Sequence, residues 1–173
     1  MANVSTSAET SENEPSTLLS PRLGRLSRAL AEDGADRNGL VEQFWQEMEF
    51  AGTPLIEDIP GDPDTALVTF LWRETEPTRA VRLYESVSWR SVEERMLAPL
   101  AGTNIWYLTW RVSMTVRAGY GFSVVPVGVE EPSERWPETT FDPLNRNLRP
   151  SDWRSGEIES TLVMPAAEAL PWD

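Results

Sequence analysis

Apolar and polar side chains alternate along residues 104–112. A period of two, kept over a stretch rich in aromatic and β-branched residues, predicts a β-strand. One face carries Trp106, Leu108, Trp110 and Val112. The opposite face carries Ile105, Tyr107, Thr109 and Arg111. Two Trp on one face need a thick apolar layer opposite them, so we expect a central strand whose second face points outward.

The same periodicity predicts further strands at residues 65–73, 79–85, 117–127 and 158–164. Residues 65–73 are largely apolar on both faces, which predicts burial on two sides. Residues 117–127 are expected to pair with 104–112 as a hairpin. Gly119 and Gly121, on one face of that strand, indicate that another group approaches closely. Residues 92–98 fit a short strand or a helical turn, and loops are predicted at 58–64 and 128–156.

Two helices are predicted ahead of these strands. Ser20 and Pro21 fit an N-cap followed by proline at the first helical position, and this helix should end near Asp33-Gly34. A second helix is predicted over residues 38–50. Its apolar stripe consists of Leu40, Val41, Phe44, Trp45 and Met48. We expect the stripe to pack on a sheet, and the alternative is a docking face for another domain.

Several short strands without a repeating βαβ pattern predict a mainly β fold, an antiparallel β-sandwich with one or two N-terminal helices. Residues 1–19 have almost no apolar content, which predicts a disordered tail. The sandwich domain is expected over residues 20–164. Residues 165–173 are rich in Pro and Ala, as at the beginning of a linker.

Composition narrows the classes of function. The net charge of −13 argues against nucleic acid and anionic membrane surfaces as partners, because both favour a basic face. The sequence has no Cys and no His, so it offers neither a thiolate metal site nor a Ser–His–Asp triad. It contains no G-x-S-x-G motif. Without a signal-peptide pattern or a long apolar run, we expect a cytoplasmic protein that does not enter membranes.

Four short strings occur in order along the chain: Gly52-Thr-Pro-Leu-Ile-Glu57, Thr69-Phe-Leu-Trp-Arg73, Gly102-Thr-Asn-Ile-Trp-Tyr107 and Asp142-Pro-Leu-Asn-Arg146. Phe44-Trp45 precedes them, and Leu170-Pro-Trp172 follows. Together they resemble the N-terminal domain of enterochelin (ferric enterobactin) esterases from about residue 40 onward. The resemblance implies an immunoglobulin-like, E-set sandwich.

In that family the domain precedes an α/β-hydrolase domain, which cleaves the trilactone backbone of ferric enterobactin in the cytoplasm and releases iron. The present sequence stops where that domain would begin, and it lacks the nucleophile elbow and the His. The resemblance therefore implies a non-catalytic, accessory domain without a cofactor. Its partners would be an α/β-hydrolase domain, in cis or in trans, and a ferric catecholate siderophore. The resemblance is compatible with a hydrolase domain in the same polypeptide and with one in a separate polypeptide.

Arg and Tyr on outward strand faces are the first candidates for a ligand surface, namely Arg73, Arg82, Tyr84, Tyr107 and Arg111. Arg forms charge-assisted hydrogen bonds and stacks on rings, which suits a flat, anionic, aromatic ligand such as a ferric catecholate. The alternative is that each Arg pairs with a carboxylate of the chain, since exposed ion pairs are common and contribute little.

The Asp142–Arg146 string is a turn by its chemistry, because Asp and Asn bond to nearby backbone amides and Pro fixes φ. The alternative is a lip over a partner's active site, from which Arg146 or Arg149 reaches the substrate. The residues expected to be structural are Trp72, Trp106, Trp110, Asp142 and Asn145.

The long loop also holds acidic residues whose spacing matches no oxygen-ligand loop, so no metal site is predicted at Glu130, Glu131, Glu134 and Glu138. Trp136, Trp153 and Trp172 lie in the loop and tail. Because exposed Trp can stack on sugar rings, the alternative function is a stand-alone E-set module that binds a glycan or a protein partner. A glycan site of this kind requires at least two exposed, coplanar Trp.

Overall fold

The structure of the chain, a computed structural model, describes residues 20–85, 91–129, 138–151 and 157–169. The predicted disordered tail, residues 1–19, lies outside this part of the chain, as does the end of the predicted linker. Within the described residues, no helix combines the length and the apolar character that crossing a membrane requires.

Two helices, α1 (Pro21–Leu30) and α2 (Arg37–Ala51), precede the strands as predicted. Ser20 is the N-cap of α1, and its hydroxyl accepts a hydrogen bond from the Leu23 amide at 3.2 Å. Helix α1 ends at Leu30, ahead of the Asp33-Gly34 pair that was expected to terminate it.

In the described residues the helices are followed by β1 (Leu55–Ile59), β2 (Asp62–Arg73), β3 (Thr78–Glu85), β4 (Ala98–Pro99), β5 (Ile105–Ser113), β6 (Arg117–Pro126), β7 (Thr139–Thr140), β8 (Leu148–Pro150) and β9 (Ile158–Val163). The first sheet has the order β1-β2-β5-β4. The second has the order β3-β6-β9-β8, with β7 beside β6. All strand pairs are antiparallel, so the predicted mainly β, antiparallel fold is confirmed.

The main core lies between the two sheets. Phe70 of β2 meets Tyr120 of β6 edge to face, with ring centroids 5.0 Å apart. Trp72 of β2 packs on Phe122 of β6 at 5.5 Å. The aliphatic members of this core are chiefly Val68, Val81, Leu83, Leu162 and Met164. These aromatic side chains therefore fill the space between the two sheets.

A second core joins the helices to the outer face of the first sheet. Its members are Leu23, Leu26, Leu30, Phe44, Trp45, Met48, Leu71, Leu100, Ile105 and Tyr107. The apolar stripe of α2 thus packs on a sheet and does not form a docking face. Because the helices cover β2 from this side, the two-sided burial predicted for residues 65–73 is confirmed.

The predicted hairpin between residues 104–112 and 117–127 is wrong. Strand β5 pairs with β2 and β4, whereas β6 pairs with β3, β7 and β9. The connection between β5 and β6 therefore crosses from one sheet to the other. Trp110 of β5 contacts the Phe70 ring within the first sheet, whereas Tyr120 of β6 contacts it from the facing sheet. The alternation of apolar and polar residues is the same whether two strands pair within one sheet or face each other across the core. It therefore could not distinguish these two arrangements.

Several predicted loops contain regular structure. Strands β1 and β2 extend through residues 58–64 to a tight turn at Gly61, which has φ of 81°. Residues 92–98 contain both alternatives, a 3-10 turn at Glu93–Arg95 and then β4. Strands β7 and β8 lie within the predicted loop 128–156.

The close approach predicted at the two glycines of β6 is confirmed. A Cβ on Gly121 would lie 2.8 Å from the Thr140 carbonyl oxygen. A Cβ on Gly119 would lie 2.2 Å from a carboxylate oxygen of Glu159. Larger residues at these positions would displace β7 and the Glu159 side chain, since real side chains do not approach so closely.

Candidate functional site

The strand residues predicted to form one ligand surface lie on two different sheets. Arg73, Tyr107 and Arg111 belong to β2 and β5, whereas Arg82 and Tyr84 belong to β3. The outer faces of two packed sheets point in opposite directions, so these residues form no common patch. The prediction of a shared surface is wrong, because alternation gives the face of a side chain only relative to its own sheet.

Arg73 and Tyr107 are part of the junction between the helices and the first sheet. Tyr107 is buried beneath the helices, and this burial raises the pKa of its phenol. The Arg73 guanidinium donates to Glu42 at 2.8 Å and to Glu49 at 3.1 Å. It also lies 5.5 Å from the centroid of the Trp45 ring. The face expected to point outward at Tyr107 is therefore a buried one.

Arg111 lies on the exposed part of β5 and bonds within the chain. Its Nη2 pairs with the Asp62 carboxylate at the start of β2, and its Nε donates to Thr65 Oγ1 at 2.7 Å. The Thr65 hydroxyl donates in turn to Asp62. The hydrogen bond from Thr65, followed by that from Arg111, lowers the pKa of Asp62 to about 2. This cluster fastens the beginning of β2 to the end of β5.

Replacing Thr65 by Val is expected to raise the pKa of Asp62 toward its ordinary value of 3.8, because the hydrogen bond from the Thr65 hydroxyl is the largest single cause of the lowered pKa. The folded-state pKa lies below the unfolded one. Asp62 therefore contributes stability above pH 3.8, and this contribution is lost as pH falls through about 2. NMR titration of the side-chain carboxyl carbons measures the shift. An unchanged pKa of Asp62 in Thr65→Val would contradict this cause.

On the second sheet, Tyr84 is 44% exposed, and Arg82 is buried beside it. The Arg82 guanidinium lies 5.9 Å from the centroid of the Tyr84 ring, and burial lowers the pKa of Arg82. Arg149 Nε donates to Glu159 at 2.7 Å, over Gly119. The hollow between Tyr84 and Glu159 measures about 40 Å³, which is room for about one water molecule and too little for a catechol ring.

The Asp142–Arg146 turn builds a buried polar network. The Tyr120 hydroxyl donates to Asp142 Oδ2 at 2.8 Å, and the Leu144 amide donates to Asp142 Oδ1 at 3.0 Å. The Asp142 amide donates to the Ser160 hydroxyl at 2.8 Å. Burial raises the pKa of Asp142, and burial together with the Asp142 charge raises the pKa of Tyr120. The turn is therefore locked to β6 and β9.

Asn145 connects this network to the turn that follows α2. Its side-chain amide donates to the Thr53 carbonyl at 2.7 Å, to the Tyr120 hydroxyl at 2.9 Å and to the Thr161 carbonyl at 3.2 Å. Its Oδ1 accepts from the Asn147 amide at 2.7 Å. These contacts support the structural role expected for Asp142 and Asn145, because they join three segments that are far apart in sequence.

Arg146 leaves the network and bonds to the end of α2. Its Nη2 donates to the Glu49 carbonyl at 3.2 Å and to the Phe50 carbonyl. A cation at the C-terminus of a helix is favourable, because the unsatisfied carbonyls there carry partial negative charge. Phe50 is 85% exposed at the same place. The described position of Arg146 is that of a helix cap.

Several other predicted residues lie outside the described part of the chain, namely Glu130, Glu131, Glu134, Trp136, Trp153 and Trp172. The described residues hold no group of three or more His, Cys, Asp or Glu placed to bind a metal. Trp72 and Trp110 pack against the main core, and the Trp106 indole donates to Glu74 at 2.7 Å.

The sequence does not reveal an apolar cleft at one end of the sandwich. The cleft has a volume of about 210 Å³. Its apolar walls are formed by Phe70, Trp110, Val112, Val116, Ala118, Tyr120 and Leu162. The remaining lining residues are Glu85, Arg111 and Ser113. Alternation predicts that the wall residues face a filled core. The alternation does not predict where the strands of the two facing sheets end. The positions of these ends determine where the core is open to solvent.

The sequence of this chain is similar to those of known esterases. A sequence model of the family described as "Enterochelin esterase, N-terminal" matches residues 67–173. The iron(III) salmochelin esterase of Escherichia coli O6:H1 is 32% identical over 139 residues, covering 75% of this chain and 34% of the relative. The iron(III) enterobactin esterase of Yersinia enterocolitica is 34% identical over 159 residues, covering 76% and 44%. The chain thus spans less than half the length of these relatives.

Solved structures of two esterases share the fold. The enterobactin esterase of Shigella flexneri, crystallised in the presence of 2,3-dihydroxy-N-benzoyl-serine, matches with a TM-score of 0.57 at 22% identity, covering 75% of this chain and 36% of that one. The ferric enterobactin esterase of Salmonella typhimurium matches with a TM-score of 0.55 at 24% identity, covering 75% and 38%. At these identities the likeness concerns the fold alone.

Proposed function

The chain belongs to the family of enterochelin esterase N-terminal domains, and from this premise we propose that it is a non-catalytic, accessory domain of an enterochelin-esterase-like system. It acts with an α/β-hydrolase domain, in cis or in trans, in recognising a ferric catecholate such as ferric enterobactin and in cytoplasmic iron release. The family match over residues 67–173 carries the proposal. The immunoglobulin-like, E-set assignment belongs to the same proposal.

The residue chemistry of the chain supports a non-catalytic role. In a Ser–His–Asp triad, an imidazole takes the proton of the nucleophile. The sequence has no His, so that imidazole has to come from another domain. The buried pair of Asp142 and Tyr120 is enclosed, and its two groups bond to each other. Both groups are engaged in hydrogen bonds within the chain.

Recognition of the siderophore is expected to depend mainly on the hydrolase domain. A ferric catecholate is anionic and the net charge of this chain is −13, so long-range electrostatics oppose binding to this chain alone. Arg73, Arg111 and Arg146 all bond to groups of their own chain. Of the residues predicted to bind the ligand, we retain the exposed Tyr84 as a contact to a siderophore held by the partner.

Steady-state hydrolysis of ferric enterobactin tests the proposal. The partner is the part of the Yersinia enterocolitica esterase outside the region matched by this chain, produced separately and called the catalytic part below. We expect no turnover by this chain alone. Adding the chain to the catalytic part should raise kcat/KM for ferric enterobactin about tenfold, equivalent to about 1.4 kcal/mol of transition-state stabilisation.

A small chromogenic ester is the control substrate. Its hydrolysis shows that the catalytic part is folded, and its rate should not respond to the chain, because so small an ester touches only the catalytic residues. Turnover of ferric enterobactin by this chain alone would overturn the non-catalytic role. An unchanged kcat/KM on addition of the chain would remove the accessory role.

A further inference from the structure

The two sheets leave a cleft along one side of the sandwich, between β1 and β9. Strand β1 is an edge of the first sheet, and β8 pairs with β9 only as far as Ser160. The space between β1 and β9, called the lateral cleft below, measures about 290 Å³. Its lining includes Pro54, Ile56, Arg146, Leu162 and Val163. On the opposite side the sheets are joined, since the Leu97 amide donates to the Val81 carbonyl at 2.9 Å.

The backbone of β1 offers unpaired groups at this cleft. Successive residues of an antiparallel strand bond alternately to the neighbours on its two sides. The Glu74 amide, just beyond β2, donates to the Asn104 carbonyl at 2.8 Å, so the even-numbered residues of β2 bond to β5. The odd-numbered residues of β2, which stand opposite Leu55 and Glu57, therefore bond to β1. The N–H and C=O of Ile56 consequently point to the open edge.

Strand β9 presents the same kind of edge from the other wall. The Met164 amide donates to the Val116 carbonyl at 2.9 Å, so the even-numbered residues of β9 bond to β6. Thr161 points the other way, and its amide donates to the Asn147 carbonyl at 2.7 Å. Val163 also points that way, but no described strand lies beside it there. Unpaired groups on both walls suit the addition of an extended segment.

The side chains beside this edge define which segment fits. Asp58 is exposed and lies on the same edge and face of β1 as Ile56. Arg146, on the other side of Ile56, is the charged residue of the described lining, and only its Nη2 is bonded within the described chain. In an antiparallel segment, the residue opposite Ile56 follows the one opposite Asp58 by two positions and precedes the one near Arg146 by two. The complementary sequence is therefore basic-x-apolar-x-acidic.

The path of the chain indicates which protein supplies this segment. Strand β9 ends at Val163, and the family match extends to residue 173. The esterase relatives are more than twice as long as the part that this chain covers. Ten residues span at most about 35 Å, so a domain that follows the matched region in a relative begins within that distance of this edge. A short connection of this kind gives a high effective concentration.

We propose that the lateral cleft between Ile56 and Val163 receives an extended segment of the α/β-hydrolase domain, which pairs with the edge of β1 and places an apolar side chain in the cleft. This inference rests on the proposed function and adds the surface and the sequence character through which the partner is engaged. Backbone hydrogen bonds supply affinity in such an addition, and the side-chain contacts supply specificity.

Hydrogen exchange of the full chain, measured for each amide by NMR, tests the edge. In the free chain the amides of Leu55 and Glu57 should exchange slowly and that of Ile56 rapidly, because only the former two bond to β2. Saturation with the catalytic part should slow exchange at Ile56 at least about tenfold, since an added strand supplies its missing partner. Thr75, exposed in the connection between β2 and β3, is the control amide and should not change.

Substitutions at Asp58 test the pairing by isothermal titration with the catalytic part. Asp58→Pro removes an edge N–H without removing a bond between β1 and β2, and should weaken binding about tenfold. Asp58→Arg reverses the charge and should weaken binding about fivefold. Glu76→Arg is the matched control, because Glu76 is exposed near the first turn of α2 and away from the cleft. It should bind as the wild type.

The outcomes separate this inference from the proposed function. Stimulation of ferric enterobactin hydrolysis with unchanged exchange at Ile56, or with wild-type binding by both Asp58 variants, would overturn the docking site and leave the accessory role intact. Slow exchange at Ile56 in the free chain that depends on its concentration would also overturn the docking site, since the occupant would then be a second copy. Absence of both binding and stimulation would remove the accessory role as well.

Discussion

Replacing Asn145 by Ala is expected to lower the free energy of unfolding by about 3 kcal/mol. The Asn145 side chain is only 6% exposed, and its amide satisfies the Thr53 and Thr161 carbonyls and the Tyr120 hydroxyl. Removing it leaves buried acceptors without a donor, and each such group costs about 1–3 kcal/mol. The loss also disconnects the turn after α2 from β9.

Urea denaturation followed by circular dichroism measures this effect. Asn38→Ala is the matched control, since Asn38 is exposed in the first turn of α2 and the same substitution there should change stability by less than about 0.5 kcal/mol. Equal midpoints for the two variants would show that the network around Asn145 does not hold the segments together.

Replacing Trp45 by Ala is expected to cost about 4 kcal/mol, as for other buried Trp residues. Trp45 is 1% exposed and lies at the centre of the helix–sheet core. It packs on Phe44 with centroids 5.4 Å apart, lies under the Arg73 guanidinium, and donates its indole hydrogen to Asn104 Oδ1 at 2.9 Å. Truncation leaves a cavity beneath α2 and removes the partner of Asn104.

Two variants on the same helix identify the cause. Trp45→Phe keeps much of the packing but loses the hydrogen bond, and it should cost about 1–2 kcal/mol. Phe50→Ala removes an exposed aromatic ring and should be nearly neutral, within about 0.5 kcal/mol. If Trp45→Ala is also nearly neutral in urea denaturation, the helices are not an integral part of the domain.

The strand faces could be predicted from the sequence because a period of two is a local property. Trp106 and Phe122 face the main core, as the alternation requires. The partners of the strands could not be predicted, since pairing depends on which sheet a strand joins. Tyr107 shows the consequence. The alternation along β5 places Tyr107 on the face opposite to that of Trp106. This second face is buried only because the helices pack on it.

The Asp142–Arg146 turn illustrates the same limit at the candidate site. Its Asp, Pro and Asn predict a turn from local chemistry. Their burial depends on Tyr120, Thr53 and Thr161, which lie elsewhere in the sequence. The cleft beside Trp110 is harder still to predict, because it results from strand ends in two sheets. The alternative that Arg residues pair with carboxylates of the chain needed only its acidic composition, and Arg73, Arg111 and Arg149 do so.

The dependence of ferric enterobactin hydrolysis on the concentration of this chain tests the account most directly. With the catalytic part held constant, kcat/KM should rise with added wild-type chain and reach a plateau at one chain per catalytic part, while hydrolysis of the small chromogenic ester stays constant. A rate for ferric enterobactin that stays flat over the whole titration would contradict the claim that this domain is the accessory partner of the esterase.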